Sequence, residues 1–412
     1  MSIQGTSKLM WCIEFVVSWT YNLSRKESEI FFIGCLAVKI MQNDTCKSEE
    51  FDLKQFQNPS TEFRGAPFWA WNTKLDKTEL LRQIDCFHQM GFGGFFMHSR
   101  AGMATKYLGE EFILCVRACV EYAEKLGMKA NLYDEDRWPS GFAGGYVTED
   151  KNLRQMQICL SLKAPEEFLR VYRDFERDPH LLTVYDIVFD DYDRLADYHI
   201  ISADAQAKGE KWYAYRIYKP CCGYHNGYTY ADTMKPEAVE KFIAVTHEKY
   251  KREIGEEFGK TVGAIFTDEP NYGRIFLKAF ARDGEDAFFP WTEKFPELYQ
   301  ETYRENILER LPELVWNLQG NKPSAARYRF YRLASELFSS TYCDRVGAWC
   351  AKNGIAFVGH TLDEDSLHMQ TCAVGESMRT YKAFTVPGID MLCNEREFTT
   401  AKQAQSVAHQ YG

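Results

Sequence analysis

A regular alternation of short apolar runs with longer helical stretches dominates the chain from Phe63 onward. The apolar runs are rich in β-branched and aromatic residues, and this order of elements is typical of a parallel α/β fold. Six strands are predicted, at residues 65–71, 94–97, 129–133, 262–267, 356–358 and 388–392. Helices are predicted at residues 77–90, 110–126, 235–258, 325–352 and 399–411.

The number of strands limits the fold class. A closed (β/α)8 barrel of the TIM type has eight parallel strands, each followed by a helix. We therefore predict an α/β protein of the TIM-barrel type that is incomplete, with six βα units. Residues 60–150 hold strands 1–3 and residues 235–412 hold strands 4–6. Either two strands escape the pattern, or the chain ends before strands 7 and 8.

The alternation breaks between the third and fourth predicted strands. Residues 151–234 contain period-two runs, such as 183–189 and 212–218, and almost no helical pattern. Such runs are typical of antiparallel strands with one buried face. We predict a small β-rich subdomain inserted after strand 3, where barrel loops tolerate insertions that shape the substrate cleft.

The first 50 residues do not fit this organisation. The apolar run at 31–38 is too short to span a membrane. The earlier apolar stretch contains Glu14, which argues against its being the core of a secretory signal peptide. We interpret residues 1–50 as an atypical extension outside the catalytic fold, with Met41 as the alternative start. The 13 cysteines include no CxxC pair, which favours a reducing compartment over a disulfide framework. The cytoplasm is therefore the expected location, with secretion as the less favoured alternative.

The charge balance narrows the classes of partner. The chain has 49 basic and 59 acidic residues, a net charge of −10. Nucleic acid is disfavoured because phosphate binding needs basic patches, and no segment points to a membrane. Aromatic residues make up 15% of the chain. Their faces could bind sugars, although a large aromatic core is the favoured explanation.

Polar residues follow the predicted strands at their carboxyl ends. In a parallel barrel these ends share one mouth, where catalytic and binding residues collect. The candidates for substrate binding are Asn72, His98, Arg100, Asp134, Asp136, Asp268 and His360, and Asp390 follows the last strand. Trp71 and Trp138 flank strand ends and could stack on sugar faces or pack in the mouth.

Glu269 is the strongest catalytic candidate. The apolar run 262–267 ends in Asp268, Glu269 and Pro270, and the proline cannot continue the strand ladder. A glutamate beside Phe266 and Pro270 is desolvated, which raises its pKa toward the value that a general acid needs. We therefore predict a general-acid role for Glu269 and a hydroxyl-binding role for Asp268.

Two patterns raise the question of a metal ion. One is a set of ligand-type side chains at strand ends, namely His98, His360, Asp134 and Asp136, whose spacing matches no ligand signature. The other is an acidic turn, Asp190, Asp191 and Asp193, without EF-hand spacing, for which a solvated hairpin tip is favoured. We predict no cofactor and no catalytic metal, and leave a structural calcium ion as an open alternative.

Five segments carry a resemblance to a known family. They are RGAPFWAWN (64–72), GGFFMHSR (93–100), YDEDRWPSG (133–141), FTDEP (266–270) and GHTL (359–362). Together they resemble bacterial glycoside hydrolases of the α-L-rhamnosidase-like type, whose TIM-barrel core is related to a large clan of retaining glycosidases. The resemblance runs from about residue 60 to the end, and is specific for the family more than for the sugar.

The resemblance implies hydrolysis of O-glycosyl bonds in an oligosaccharide or glycoside. In the clan the acid follows the fourth strand, which corresponds to Glu269, and its partner carboxylate follows the seventh. Similar sequences continue into that strand after a segment like 403–412. We therefore expect the second carboxylate to lie beyond Gly412, and the chain to be a fragment with little or no activity. Retention and inversion stay open, because they depend on the spacing of the two carboxylates.

Two alternatives stand beside this interpretation. The first is a truncated or degenerate barrel that binds carbohydrate without catalysis. The second is a metal-dependent barrel hydrolase that uses His98, His360 and the cluster at Asp134.

Overall fold

The computed structural model describes residues 52–172, 179–275, 283–391 and 398–411. The extension predicted at residues 1–50 and the last residue of the predicted sixth strand, Leu392, lie outside them. The strands are β1 (Phe68–Trp71), β2 (Gly94–Ser99), β3 (Lys129–Tyr133), β4 (Met156–Ser161), β5 (His180–Phe189), β6 (Leu195–Ile201), β7 (Glu210–Tyr218), β8 (Ala264–Asp268), β9 (Ala287–Trp291), β10 (Ala356–His360) and β11 (Val386–Pro387).

The helices lie mainly between the strands. They are α1 (Leu53–Gln57), α2 (Lys77–Gln89), α3 (Glu110–Lys125), α4 (Pro165–Val171), α5 (Pro236–Val245), α6 (His247–Ile254), α7 (Phe295–Tyr303), α8 (Pro312–Val315), α9 (Ala325–Phe338), α10 (Asp344–Lys352), α11 (Leu367–Ala373), α12 (Ser377–Tyr381) and α13 (Thr399–Tyr411). Among the described residues, no helix has both the length and the apolar character needed to cross a membrane.

Six strands form a parallel sheet in the order β1-β2-β3-β8-β10-β11. Its register places His360 of β10 directly beside Asp268 of β8. A parallel sheet with helical connections confirms the predicted α/β class. The paired order runs from β1 to β11 without returning to β1, so the strands in the described part of the chain form an open sheet.

A separate antiparallel sheet has the order β6-β5-β7-β4-β9. Four of its strands fall within residues 151–234, where an inserted β-rich subdomain is predicted. The fifth, β9, comes later in the chain and pairs with β4, with Met156 opposite Trp291. The sheet therefore draws a strand from outside the predicted range.

The acidic turn at Asp190 lies between β5 and β6. The Asp190 carboxylate accepts hydrogen bonds from the backbone N–H groups of Tyr192 and Arg194, and from Arg194 Nε at 3.0 Å. Asp193 has a positive φ of 57°. The Asp190 side chain thus stabilises a hairpin turn.

Beyond shifts of the end residues in several other elements, three predicted elements differ from the structure. The sixth strand starts at Val386, two residues before the predicted start, and Gly388 still donates its N–H to the carbonyl of Gly359 at 2.6 Å. The helix predicted at 235–258 is two helices, α5 and α6, which meet at Thr246, where φ is −94° and ψ is −68°. The helix predicted at 325–352 contains the π-helical turn Ser339–Cys343 between α9 and α10.

The two faces of the parallel sheet bury different side chains. One face packs against the helices and contributes to the main core, with Trp71 and Leu132 among its residues. The other carries a small aromatic cluster in which Phe68 packs edge-on against Phe266, with ring centroids 4.6 Å apart. Because side chains alternate along a strand, His98, Asp268 and His360 share the face of this aromatic cluster.

Gly359 allows β10 to approach β8 closely. Its φ is 137°, and a Cβ atom there would lie 2.0 Å from the carbonyl oxygen of Thr267. No other residue type fits this backbone position without a shift of one strand. The glycine therefore fixes the place of His360 relative to Asp268.

Candidate active site

The loop after β3 is organised by a buried glutamate. The Glu135 carboxylate is fully buried, and it accepts hydrogen bonds from backbone N–H groups at five positions, which are residues 136, 141, 142, 143 and 144. This loop includes left-handed backbone at Ala143 and Gly144, with φ of 51° and 61°. One side chain thus holds a turn whose own backbone geometry is strained.

Ser140 ties this loop to the end of β8. Its N–H donates to the carbonyl of Asp268 at 2.8 Å, and its hydroxyl accepts from the N–H of Asp268 at 2.8 Å. The same hydroxyl donates to Asp134 Oδ1 at 2.6 Å. The loop therefore fixes the backbone immediately before Glu269.

Glu269 sits at the end of β8 in a strained conformation. Its φ is 47°, and its side chain is nearly buried, at 8% exposure. The Glu269 N–H donates to the carbonyl of His360 at 3.1 Å. The Glu269 carbonyl accepts a hydrogen bond from the side-chain amide of Asn271 at 3.1 Å. Strained non-glycine backbone of this kind clusters at functional sites.

His360 lies between two buried carboxylates. Its Nε2 is 3.4 Å from Asp268 Oδ1, and its Nδ1 is 3.6 Å from Glu364 Oε2. Burial by itself lowers the pKa of His360, but the charges of Glu364 and Asp268 outweigh it and raise the pKa well above its usual value. The geometry is that of an imidazolium held by two carboxylates.

The two acidic residues at the end of β8 have opposite protonation tendencies. Burial raises the pKa of Glu269 to about 8, opposed by His360 and reinforced by the negative charges of Asp268, Asp390 and Glu364. Burial also acts to raise the pKa of Asp268, but His360 and a 2.8 Å hydrogen bond from the Tyr133 hydroxyl hold it below its usual value. At neutral pH the pair thus combines a protonated glutamic acid with an ionised aspartate.

Three side chains of the site could hold a metal ion. Glu269, His360 and Asp390 each offer one ligand atom, and these atoms lie within 4.8 Å of one another. Two carboxylates and an imidazole suit several divalent ions. The set differs from the ligands considered from the sequence, since it includes neither His98 nor Asp134.

His98 lies on the same face of the sheet, two strands from Asp268. Its ring packs on Tyr133 with centroids 3.8 Å apart, and Tyr133 in turn bonds to Asp268. His98 is 4% exposed, and burial lowers its pKa to about 3. The imidazole is therefore neutral at physiological pH, and its Nε2 has no hydrogen-bond partner among the described residues.

Trp71 and Asp134 lie on the other face of the sheet. Trp71 is 2% exposed and packs edge-on against Phe112 of α3 at 5.5 Å. Asp134 is fully buried and approaches His247 of α6 at 3.9 Å. Both face the helices, so the structure does not bring them to Glu269.

The other residues predicted to bind substrate lie around the strand ends. Asn72 follows β1 and is exposed, and Arg100 follows β2 and is half-buried. Asp136 accepts a hydrogen bond from the amide of Asn226 and lies 3.8 Å from Arg137. Trp138 is partly buried against the main core. Their contacts with substrate remain predictions.

Comparison with known proteins identifies a likeness in fold. No family model and no curated protein matches the sequence. The structure is similar to that of the rhamnosidase from Novosphingobium sp. PP1Y, with a TM-score of 0.55 and 14% identity, over 88% of this chain and 52% of that one. The chain thus spans about half the length of that rhamnosidase. At this identity the likeness is one of fold.

Two residues of the site were missed by sequence reasoning. Glu364 contacts His360 and accepts the N–H of Asp390 at 2.7 Å, while Tyr133 bonds to Asp268. Tyr133 could have been found from the alternation of side chains along β3, because it lies on the sheet face of the aromatic cluster. Glu364 follows the end of β10 by four residues, within a loop whose path the sequence does not define.

Proposed function

We propose that the protein is a glycoside hydrolase of the rhamnosidase-like type, with Glu269 as the general acid. The observation that carries this proposal is a buried glutamic acid with a pKa of about 8 beside an ionised aspartate, at the carboxyl end of a parallel strand. On this proposal the six parallel strands are the first six of a (β/α)8 barrel. The similarity of fold to a rhamnosidase supports both the glycoside hydrolase proposal and the barrel proposal.

The proposed chemistry begins with a proton transfer. Glu269, protonated at neutral pH, gives its proton to the oxygen of the leaving group as the glycosidic bond breaks. A water molecule supplies the hydroxyl that bonds to the anomeric carbon, and its remaining proton restores Glu269 through solvent. Asp268 remains ionised, which keeps the proton on Glu269 and places negative charge near the sugar as it becomes positive. His98 offers a neutral hydrogen-bonding group to a sugar hydroxyl.

The substrate class is tested by hydrolysis of aryl glycosides. Because the resemblance places the partner carboxylate beyond Gly412, the assay uses the complete protein. We expect it to release 4-nitrophenol from at least one member of a panel headed by the α-L-rhamnopyranoside, with activity that falls as pH rises through about 8. If no member is hydrolysed between about pH 5 and about pH 9, the hydrolase proposal fails. Sugar binding by calorimetry in that case would support the alternative of a carbohydrate-binding barrel.

A metal-dependent hydrolase is the second candidate. The observation that favours it is the closeness of ligand atoms from Glu269, His360 and Asp390. If a metal ion polarised the substrate there, activity would disappear after dialysis against a chelator and return with a divalent ion. Activity that is unchanged by the chelator supports Glu269 as a proton donor instead.

A further inference from the structure

Arg100 presents a guanidinium group at the end of β2. Its backbone N–H donates to the carbonyl of Trp71 at 3.0 Å, so the extended pairing with β1 continues to this residue. Strand alternation then puts its side chain on the face of Phe96 and His98. Besides burial, the positive charge of Arg100 contributes to the lowered pKa of the His98 imidazole, which agrees with a position of the guanidinium near that ring.

The Arg100 guanidinium has no hydrogen bond or ion pair with any residue in the described part of the chain. By contrast, Arg137 on the neighbouring loop lies 3.8 Å from the carboxylate of Asp136. The guanidinium group of arginine binds a carboxylate through two parallel hydrogen bonds. A half-buried arginine without such a partner is therefore suited to an anionic group of a ligand.

His98 supplies a second unpartnered group beside it. The side chain is 4% exposed, and its Nε2 makes no hydrogen bond among the described residues. A buried polar atom without a partner costs free energy unless a ligand completes it. The neutral imidazole can bond to a hydroxyl while the neighbouring arginine binds a negative charge.

The spacing to Glu269 fits one sugar residue. The β2 and β8 strands are separated by β3 alone, and neighbouring strands lie about 4.8 Å apart, so the separation is about 10 Å. Arg100 follows β2 and Glu269 follows β8, so their backbones lie about this far apart. A sugar bound between them can present its glycosidic oxygen to Glu269 and a ring substituent to Arg100.

We propose that the site takes a glycoside that carries a carboxylate, a uronic acid residue, with Arg100 binding the carboxylate and His98 a neighbouring hydroxyl. This inference rests on the proposed function, because it uses the same site at the strand ends. It adds the chemical class of the sugar. It also makes Arg100 a residue that determines specificity.

The test compares matched acidic and neutral sugars by calorimetry. Methyl glycosides of glucuronic and galacturonic acid are titrated against those of glucose and galactose, with the whole chain and with Arg100→Gln. We expect at least one uronide to bind more tightly than its neutral counterpart, and Arg100→Gln to weaken that binding about 10-fold or more. Binding of the neutral sugar should change less than about 2-fold.

Arg82→Gln is the matched control. Arg82 is an exposed arginine on α2, paired with Glu79 at 2.6 Å, and its removal changes the net charge equally. Equal affinity for acidic and neutral sugars, no binding of either, or an equal loss in both arginine variants would each overturn the inference. Hydrolysis of neutral aryl glycosides without preference for uronides would leave the hydrolase proposal standing and defeat this one alone.

Discussion

Replacing Glu269 with glutamine in the complete protein lowers turnover of glycosides with poor leaving groups at least ~100-fold, because glutamine has the shape of the acid but no proton to give. Binding of the sugar changes little. The effect shrinks for a 2,4-dinitrophenyl glycoside, whose leaving group departs without protonation. Steady-state kinetics on the two substrates measure the difference directly.

The pH profile separates this role from a structural one. The wild-type rate falls as pH rises through about 8, because Glu269 loses its proton there. Glu269→Gln should lack this alkaline limb. Asn271→Ala serves as the control, since the Asn271 amide bonds to the Glu269 carbonyl without touching its carboxyl group. Near-normal turnover in Glu269→Gln would exclude the assignment.

Replacing Glu135 with alanine is expected to destabilise the fold by about 3 kcal/mol or more. The substitution leaves backbone N–H groups at four buried positions and one part-buried position without their acceptor, and each buried group costs roughly 1–3 kcal/mol when nothing replaces the bond. Relaxation of the loop offsets part of the summed free-energy cost of these unsatisfied N–H groups. Chemical denaturation monitored by tryptophan fluorescence measures the loss.

Glu149→Ala is the control for this experiment. Glu149 lies on the same connection and its side chain is exposed, so its loss should change stability by no more than about 0.5 kcal/mol. If the two variants unfold at the same denaturant concentration, Glu135 does not organise the loop. A variant of Glu135 that fails to fold agrees with the expected direction.

Much of the parallel sheet could be predicted from the sequence. The predicted limits of β3 and α13 agree with the structure, because a short apolar run and a long helical pattern with clear ends are strong signals. The sixth strand was predicted to start two residues late, since its pairing with β10 begins at Val386. Helical periodicity likewise continues through Thr246 and the π-helical turn at Ser339–Cys343, and so cannot reveal either break.

The candidate site was predicted in part. Asp268, Glu269 and His360 do meet, because neighbouring parallel strands end at the same edge. Trp71 and Asp134 were predicted to join this site because they lie at strand ends. Successive side chains point to opposite faces of a sheet, and both of these face the helices. Glu364 reaches His360 from a loop, and the close approach of β8 and β10 depends on Gly359, which no local pattern indicates.

The protonation of Glu269 is the central claim, and its most direct test is a pH titration of the side-chain carboxyl by 13C NMR. The signal is assigned by its absence from Glu269→Gln, so the measurement needs no substrate. A titration midpoint of about 8 is expected, because burial and the neighbouring carboxylates disfavour the charged form. A midpoint near the ordinary value of 4.5 would show an ionised Glu269 at neutral pH and contradict its role as the general acid.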